Sequence, residues 1–299
     1  IERIWNEKYG IPYYTNQIEI ISSEQMLDAY AAVGLPVMYD HWSFGKEFVE
    51  QSEMYRRGYR GLAYEIVINS SPCISYCMEE NSMLMQTLVM AHAAFGHNSF
   101  FKNNYLFRQW TDAESIIDYL VFAKGYLRQM EEEHGASRVE ELLDAAHSIM
   151  SYGVDKYQRP PTMSVHDERR REIERARQVE ENLNVLWSTI PRARTDEVDG
   201  EVEREAFPKE PQENLLYFIE KNAPRLESWE REVLRIVRKI AQYFYPQRQT
   251  QLMNEGWASF SHYNLMHDLR DEGLVDHGAM FEFYESHTGV VFQPEFDDP

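Results

Sequence analysis

The sequence predicts an α+β chain, mostly α-helical, in which a pair of helices bearing polar groups packs beside a small antiparallel or mixed sheet. Three observations lead there. Apolar residues recur at helical spacing along most of the 299 residues. One stretch, Leu62-Ala-Tyr-Glu-Ile-Val-Ile-Asn69, alternates as a half-buried strand does. Two apolar, helix-like stretches, Met90-Ala-His92-Ala-Ala-Phe-Gly-His97-Asn98 and Asn254-Glu255-Gly-Trp-Ala-Ser-Phe-Ser-His262-Tyr263, put imidazole and carboxylate where packing residues would otherwise stand. Such groups are expensive to bury without a partner.

In chain order, Gln17 to Ile21 alternates enough for a strand, and Ser22-Ser23 then caps a helix from Glu24 to Val33 that Gly34 ends. A helix follows from Phe44 to Arg57. In the strand at 62–69, Tyr64, Ile66 and Ile68 share one face and Glu65, Val67 and Asn69 the other, bounded by Gly61 and Ser71-Pro72. The pattern is helical from Glu79 to His97, so the two histidines close a strand-loop-helix unit. Helices are expected over Asp112–His134 and Ser137–Ser151, with Glu131 to Glu133 and Glu140-Glu141 as solvated faces. From Arg159-Pro160-Pro161 to Glu213 the composition turns charged and Pro-rich, which reads as a linker or insertion, or as a partner-binding arm. A helix begins at Leu215. A second runs Leu226–Tyr245 until Pro246 breaks it, and a third runs Thr250–Glu272, carries Glu255 and His262, and stops at Gly273. Met280–Glu285 reads as helix and Thr288-Gly-Val-Val-Phe-Gln as a short strand. The expected organisation is therefore a mixed part, 1–158, a charged linker, 159–213, and a helical part, 214–299, packed on the first as one domain.

Composition narrows the function classes. At 43% hydrophobic the chain can bury one large core or two modest ones. The formal charge of -20 argues against nucleic acid or an anionic membrane as the main partner. No stretch is apolar for long enough to span a bilayer, and Ile-Glu-Arg-Ile-Trp-Asn-Glu lacks a signal peptide's regions, so the expected location is cytoplasmic. Cys73 and Cys77, four apart, read as buried free thiols, with half of a zinc knuckle as the alternative. There is no Gly-rich phosphate loop, no Gly-x-Ser-x-Gly and no basic-aromatic stripe.

The chemistry lies in the two polar-bearing helices. A thermolysin-type zinc peptidase uses His-Glu-x-x-His on one helix and a Glu from a later helix as third ligand. The His92/His97 segment resembles a distorted form of that pattern, and Asn254-Glu255-Gly-Trp-Ala resembles the third-ligand helix of this zincin group. Zincins also place a strand beside the histidine helix, as Leu62–Asn69 would be. Two departures stand out. Ala93 occupies the position of the water-activating Glu, and the histidines are five apart. Five steps leave the imidazoles about 140° apart on a regular helix, against about 40° for four. A π-bulge, or a helix ending at Gly96, would bring them together. Glu255 and His262 share a face about 10.5 Å apart along the axis, too far for one ion. The candidate zinc or other divalent-metal ligands are therefore His92, His97 and Glu255, with His262 behind them or facing substrate. His287 is the candidate donor to a developing oxyanion. The plainer reading is a pair of core histidines capping backbone groups. Glu79, Glu80 or a Glu from elsewhere would have to act as base. His41-Trp42 reads as a buried aromatic junction or a pocket lining.

Longer blocks carry a family resemblance. Leu62-Ala-Tyr-Glu-Ile-Val-Ile-Asn-Ser, Met90 to Asn103, Tyr243 to Phe260 and His287-Thr-Gly-Val-Val-Phe-Gln-Pro294 resemble the SpoVR (stage V sporulation protein R) family, in its Gram-negative branch, along essentially the whole chain. Members continue beyond the Phe-Gln-Pro block, which implies a truncated C-terminus. The resemblance implies a link to the spore cortex or stress physiology, and as partners a PrkA-type serine protein kinase and a von Willebrand A-like protein. It brings no established reaction. Two functions follow: a zincin-like metal-dependent hydrolase of amide or peptide bonds, or a non-catalytic scaffold or regulatory partner of the kinase.

Overall fold

A computed structural model describes residues 1–157 and 213–292, except 33, 36 and 60–62. The charged linker at 159–213 therefore lies, Glu213 apart, outside the described residues, as do Leu62 and the end of the Phe-Gln-Pro block. The chain divides into two compact units, Ile1–Val154 with Asn214–Pro299, and Asp155–Glu213. Every helix and strand among the described residues belongs to the first unit, which is mostly helical with one small mixed sheet.

Helix α1 (Glu2–Ile4) runs into a π-helical turn, Trp5–Tyr9, which Gly10 ends at φ 60°. Strand β1 is Asn16–Ile21. Helix α2 (Ser23–Ala31) starts at a capping box in which Ser22 and Gln25 satisfy each other's backbone N–H. Helix α3 (Trp42–Arg56) is capped by His41, whose Nδ1 accepts the Ser43 N–H. Strands β2 (Glu65–Ile68) and β3 (Cys73–Met78) follow. Helix α4 (Met83–Met90), capped by Ser82, continues as a π-helical segment, Ala91–His97, and then as α5 (Asn98–Asn103). Helices α6 (Tyr105–Trp110), α7 (Ile116–His134) and α8 (Ala136–Ser148) complete the first half. C-terminal to residue 213 come α9 (Leu215–Asn222), α10 (Ser228–Asp271) and α11 (His277–Val291). No helix among the described residues is long and apolar enough to cross a membrane.

The sheet order is β1-β3-β2, with β1 parallel and β2 antiparallel to the central β3. Strand β3 escaped the sequence reading because both of its faces are covered. Cys73, Ile74, Ser75 and Cys77 are all buried, so no polar face alternates with an apolar one. Both cysteines are free and buried, and burial pushes the Cys73 thiol up to about 12 and the Cys77 thiol to about 11.

Two expected breaks are absent. Helix α10 passes through Pro246, because the apolar stripe that buries it continues on both sides, from Val233, Val237 and Ile240 to Ala258, Leu265 and Leu269. That packing outweighs the missing N–H of proline. The strand expected from Thr288 is helical as far as Val291, as the last turns of α11.

Helix α10 joins two cores. Its N-terminal half packs Trp229, Val233, Ile236 and Ile240 against Leu120, Leu127 and Leu143 of α7 and α8. Its C-terminal half packs Leu265, Met266 and Leu269 against Trp5, Leu88, Phe95 and Phe283. Near the first core, the buried Glu220 of α9 takes bonds from Arg235 Nη2 (2.9 Å) and Arg238 Nε (3.2 Å).

Candidate metal centre

The π-helical segment resolves the five-residue spacing. Its bonds reach five residues back, as from Asn98 N–H to Ala93 O, so residues five apart stand above one another. The ring centroids of His92 and His97 are consequently 4.6 Å apart. All seven residues of the segment are buried, and the small ones permit close approach to α10. A Cβ on Gly96 would lie 2.6 Å from Ala258 Cα, so the contact demands glycine.

Across that seam α10 presents Asn254, Glu255 and His262. Glu255 Oε2 is 3.5 Å from His92 Nε2 and 3.7 Å from His97 Nε2. From the other side β2 contributes Glu65, whose Oε1 is 3.6 Å from His92 Nε2. Glu65, His92 and His97 form the one tight group of metal-binding side chains among the described residues, their donor atoms all within 4.8 Å of one another. Zinc bonds of about 2.0–2.2 Å put tetrahedral donors about 3.3–3.6 Å apart. The imidazole–carboxylate spacings of 3.5–3.7 Å lie close to that edge length, so two imidazoles and a carboxylate fit a divalent ion.

Hydrogen bonds behind the imidazoles fix which nitrogen faces the cleft. His97 Nδ1 donates to Asn254 Oδ1 (2.9 Å), leaving the Nε2 lone pair free. His92 Nδ1 lies 2.8 Å from His262 Nδ1, and His262 Nε2 lies 2.8 Å from His287 Nδ1. With the His92 Nε2 lone pair free, one arrangement of protons satisfies this chain: His92 donates to His262, and His262 to His287. Electrostatics favour neutral rings at His97, His262 and His287. Burial pushes His262 down to about 3, helped by the neighbouring histidines, and lowers His287 as well. Burial and the charge of His92 also lower His97, against the opposing pull of Glu255. The carboxylates diverge: contact with His92 holds Glu255 below its ordinary range, whereas burial pushes Glu65 up.

The structure thus brings together His92, His97 and Glu255, with His262 behind His92 at 1% exposure and His287 beyond it on α11. His287 meets the site through His262 and is not among the residues lining the cleft. That cleft, about 490 Å³, is lined by Glu65, His97, Arg248, Gln251, Asn254 and Glu255, among others. Two members escaped the sequence reading. Glu65 was read as part of the polar face of a strand; its signal was a carboxylate between apolar neighbours in a short, half-buried strand. Asn254 looked like part of the Glu255 motif without a role of its own. His41 forms a separate aromatic junction, its ring centroid 4.5 Å from that of His147.

The comparisons with known proteins agree with the resemblance in the sequence blocks. The family model described as "SpoVR like protein" matches residues 1–298. A curated relative from Escherichia coli (strain K12), the "Uncharacterized protein YcgB", is 58% identical over 291 residues, covering 97% of this chain. The chain spans 57% of that relative's length. No solved structure matches it. A match along nearly the whole chain and a relative at this identity lead to one conclusion: the chain belongs to the SpoVR family.

Proposed function

We propose that this chain is a metal-dependent hydrolase of amide or peptide bonds, with His92, His97 and Glu255 as ligands of zinc or another divalent transition metal and Glu65 as general base. The observation that supports it is the set of 3.5–3.7 Å donor spacings around two imidazoles whose outer nitrogens are already engaged. A divalent ion in such a site polarises a carbonyl and lowers the pKa of a water. Glu65, its carboxyl raised by burial, is suited to take a proton from that water and pass it to the leaving nitrogen. It thereby takes the part that Ala93 cannot play. Asn254 and His262 orient the two imidazoles, and His287 orients His262, so these three act on the ligands and not on the substrate.

A second reading rests on Glu65 and Glu255 both standing within 3.6 Å of His92. If both carboxylates ligate, the shell closes and the site is structural. The chain would then serve as a scaffold or regulatory partner, of a PrkA-type kinase in the reading the resemblance implies. Elemental analysis of untagged wild type, His97→Ala and Glu65→Gln, followed by an amide-substrate panel, separates the readings. Near-stoichiometric metal in wild type and Glu65→Gln, lost in His97→Ala, with turnover lost in Glu65→Gln, supports the hydrolase. Loss of metal in Glu65→Gln supports the closed site. Folded wild type that takes up no zinc refutes both metal readings.

A further inference from the structure

The cleft beside the proposed centre carries one cation, and nothing else in the proposed reaction uses it. Arg248, Gln251 and Glu255 lie at i, i+3 and i+7 on α10, one stripe facing one cleft. Arg248 is the one lysine or arginine among the residues lining that cavity. Both side chains are exposed, and among the described residues neither the Arg248 nor the Gln251 side chain has a hydrogen-bond or ion-pair partner. In a chain of net charge -20 an arginine has many carboxylates to choose from. Here the two carboxylates among the cleft's lining residues, Glu65 and Glu255, are committed to the imidazoles. In the hydrolase reading their two charges would balance a divalent ion, which would leave the guanidinium as the uncompensated charge of the cleft.

A second cavity, about 290 Å³, adjoins the first and shares Val67 and Gln247 with it. Its remaining lining is largely apolar, including Tyr30, Leu35, Ile66 and Phe244. The combined groove therefore offers a polarising centre, an apolar side pocket and an arginine with a free carboxamide beside it. Two helical turns separate Arg248 from Glu255, about 10.5 Å. An extended peptide covers that interval in about three residues.

We infer that Arg248 is a specificity-determining residue that binds a substrate carboxylate within about three residues of the scissile amide, so the substrate class is a short peptide with an apolar side chain and a nearby carboxylate. The carboxylate comes from the peptide's C-terminus or from an acidic side chain; both present the same planar acceptor to the guanidinium fork. Gln251 supplies a further donor on the same stripe. This inference rests on the hydrolase reading for the amide, but the anion subsite stands on Arg248 itself.

The test measures binding as well as turnover. Isothermal titration calorimetry compares acetyl-Leu-Ala-Ala as the free acid, the same peptide as its C-terminal amide, and acetyl-Leu-Ala-Glu as its amide. Each is titrated into zinc-loaded and metal-free wild type, Arg248→Gln and Arg248→Lys. The expected result is that at least one carboxylate peptide binds wild type tenfold or more tightly than the neutral amide. That preference falls to within about twofold in Arg248→Gln and is partly kept in Arg248→Lys. The tighter of the two acidic peptides identifies the source of the carboxylate. Equal binding of all three peptides, no binding of any, or an unchanged preference in Arg248→Gln overturns the inference. Preference in a protein that takes up no zinc sustains the subsite and sinks the hydrolase. Zinc uptake and turnover without preference do the reverse.

Discussion

Replacing Gly96 by alanine tests the seam on which the whole centre depends. The added Cβ would stand 2.6 Å from Ala258 Cα, 2.9 Å from its Cβ and 3.3 Å from its carbonyl oxygen. Two of these three contacts are backbone, which cannot swing aside. Restoring ordinary carbon contacts of about 3.5–4.0 Å moves the π-helical segment and α10 apart by about 1 Å. Overpacking of this kind costs about 1–3 kcal/mol. The displacement falls on the proposed ligands themselves, because His97 is the next residue after Gly96 and Glu255 is one turn before Ala258. Widening the 3.7 Å gap between His97 and Glu255 spoils a tetrahedral edge, and each tenfold loss of zinc affinity corresponds to about 1.4 kcal/mol. Urea titration gives the first quantity and chelator competition the second. Gly125→Ala is the control: nothing lies within 4 Å of its added Cβ, so it should stabilise α7 by up to about 1 kcal/mol. A Gly96→Ala protein with unchanged urea midpoint and unchanged zinc affinity would refute the close-approach argument.

Three further outcomes are expected. Asn254→Leu removes the acceptor behind His97 and should weaken zinc binding by about 10- to 100-fold while leaving the fold intact; an unchanged dissociation constant would show that this bond does not orient the ligand. His147, beside His41 and Tyr39, is pushed down to about 4 by burial and the charge of His41, against the pull of Asp144. Its folded pKa lies below its unfolded value of about 6.5, so its stabilising contribution is complete above that pH and is lost as pH falls toward 4. Urea midpoints should drop over that window, and His147→Gln should remove up to about 1.4 kcal/mol per pH unit from the slope; identical slopes would contradict the assignment. Glu220→Ala strips the carboxylate from Arg235 and Arg238 and should destabilise the protein by about 3 kcal/mol in the same assay, whereas a loss under about 0.5 kcal/mol would mean that water replaces it freely.

The sequence announced the candidate ligands more clearly than their geometry. His92, His97 and Glu255 were legible because imidazole and carboxylate stood out against alanine, glycine and tryptophan. The five-residue spacing posed a definite question, and a π-helical turn was one of two stated answers. Glu65 was harder to read, since a single carboxylate in a strand looks the same whether it faces solvent or an imidazole. What decides is the pairing of β2 with β3, and β3 hid behind its doubly buried faces. Pro246 misled for a related reason. Local rules end a helix at proline, while the apolar stripe running from Val233 to Leu269 is a property of the whole segment.

The unbroken α10 has a mechanical consequence. It is one rod, about 66 Å long, anchored in one core by Trp229 and in the other by Leu265 and Met266, with the cleft residues Arg248 to Glu255 between the anchors. From Trp229 to Glu255 is about 39 Å of helix, so a tilt of about 5° pivoting at the first anchor would carry the Glu255 carboxylate about 3 Å sideways. That distance is nearly the whole spacing between the donors. The rod is therefore a lever whose long arm ends at the centre, and repacking around Trp229 registers as a change in whether two helices can hold one ion.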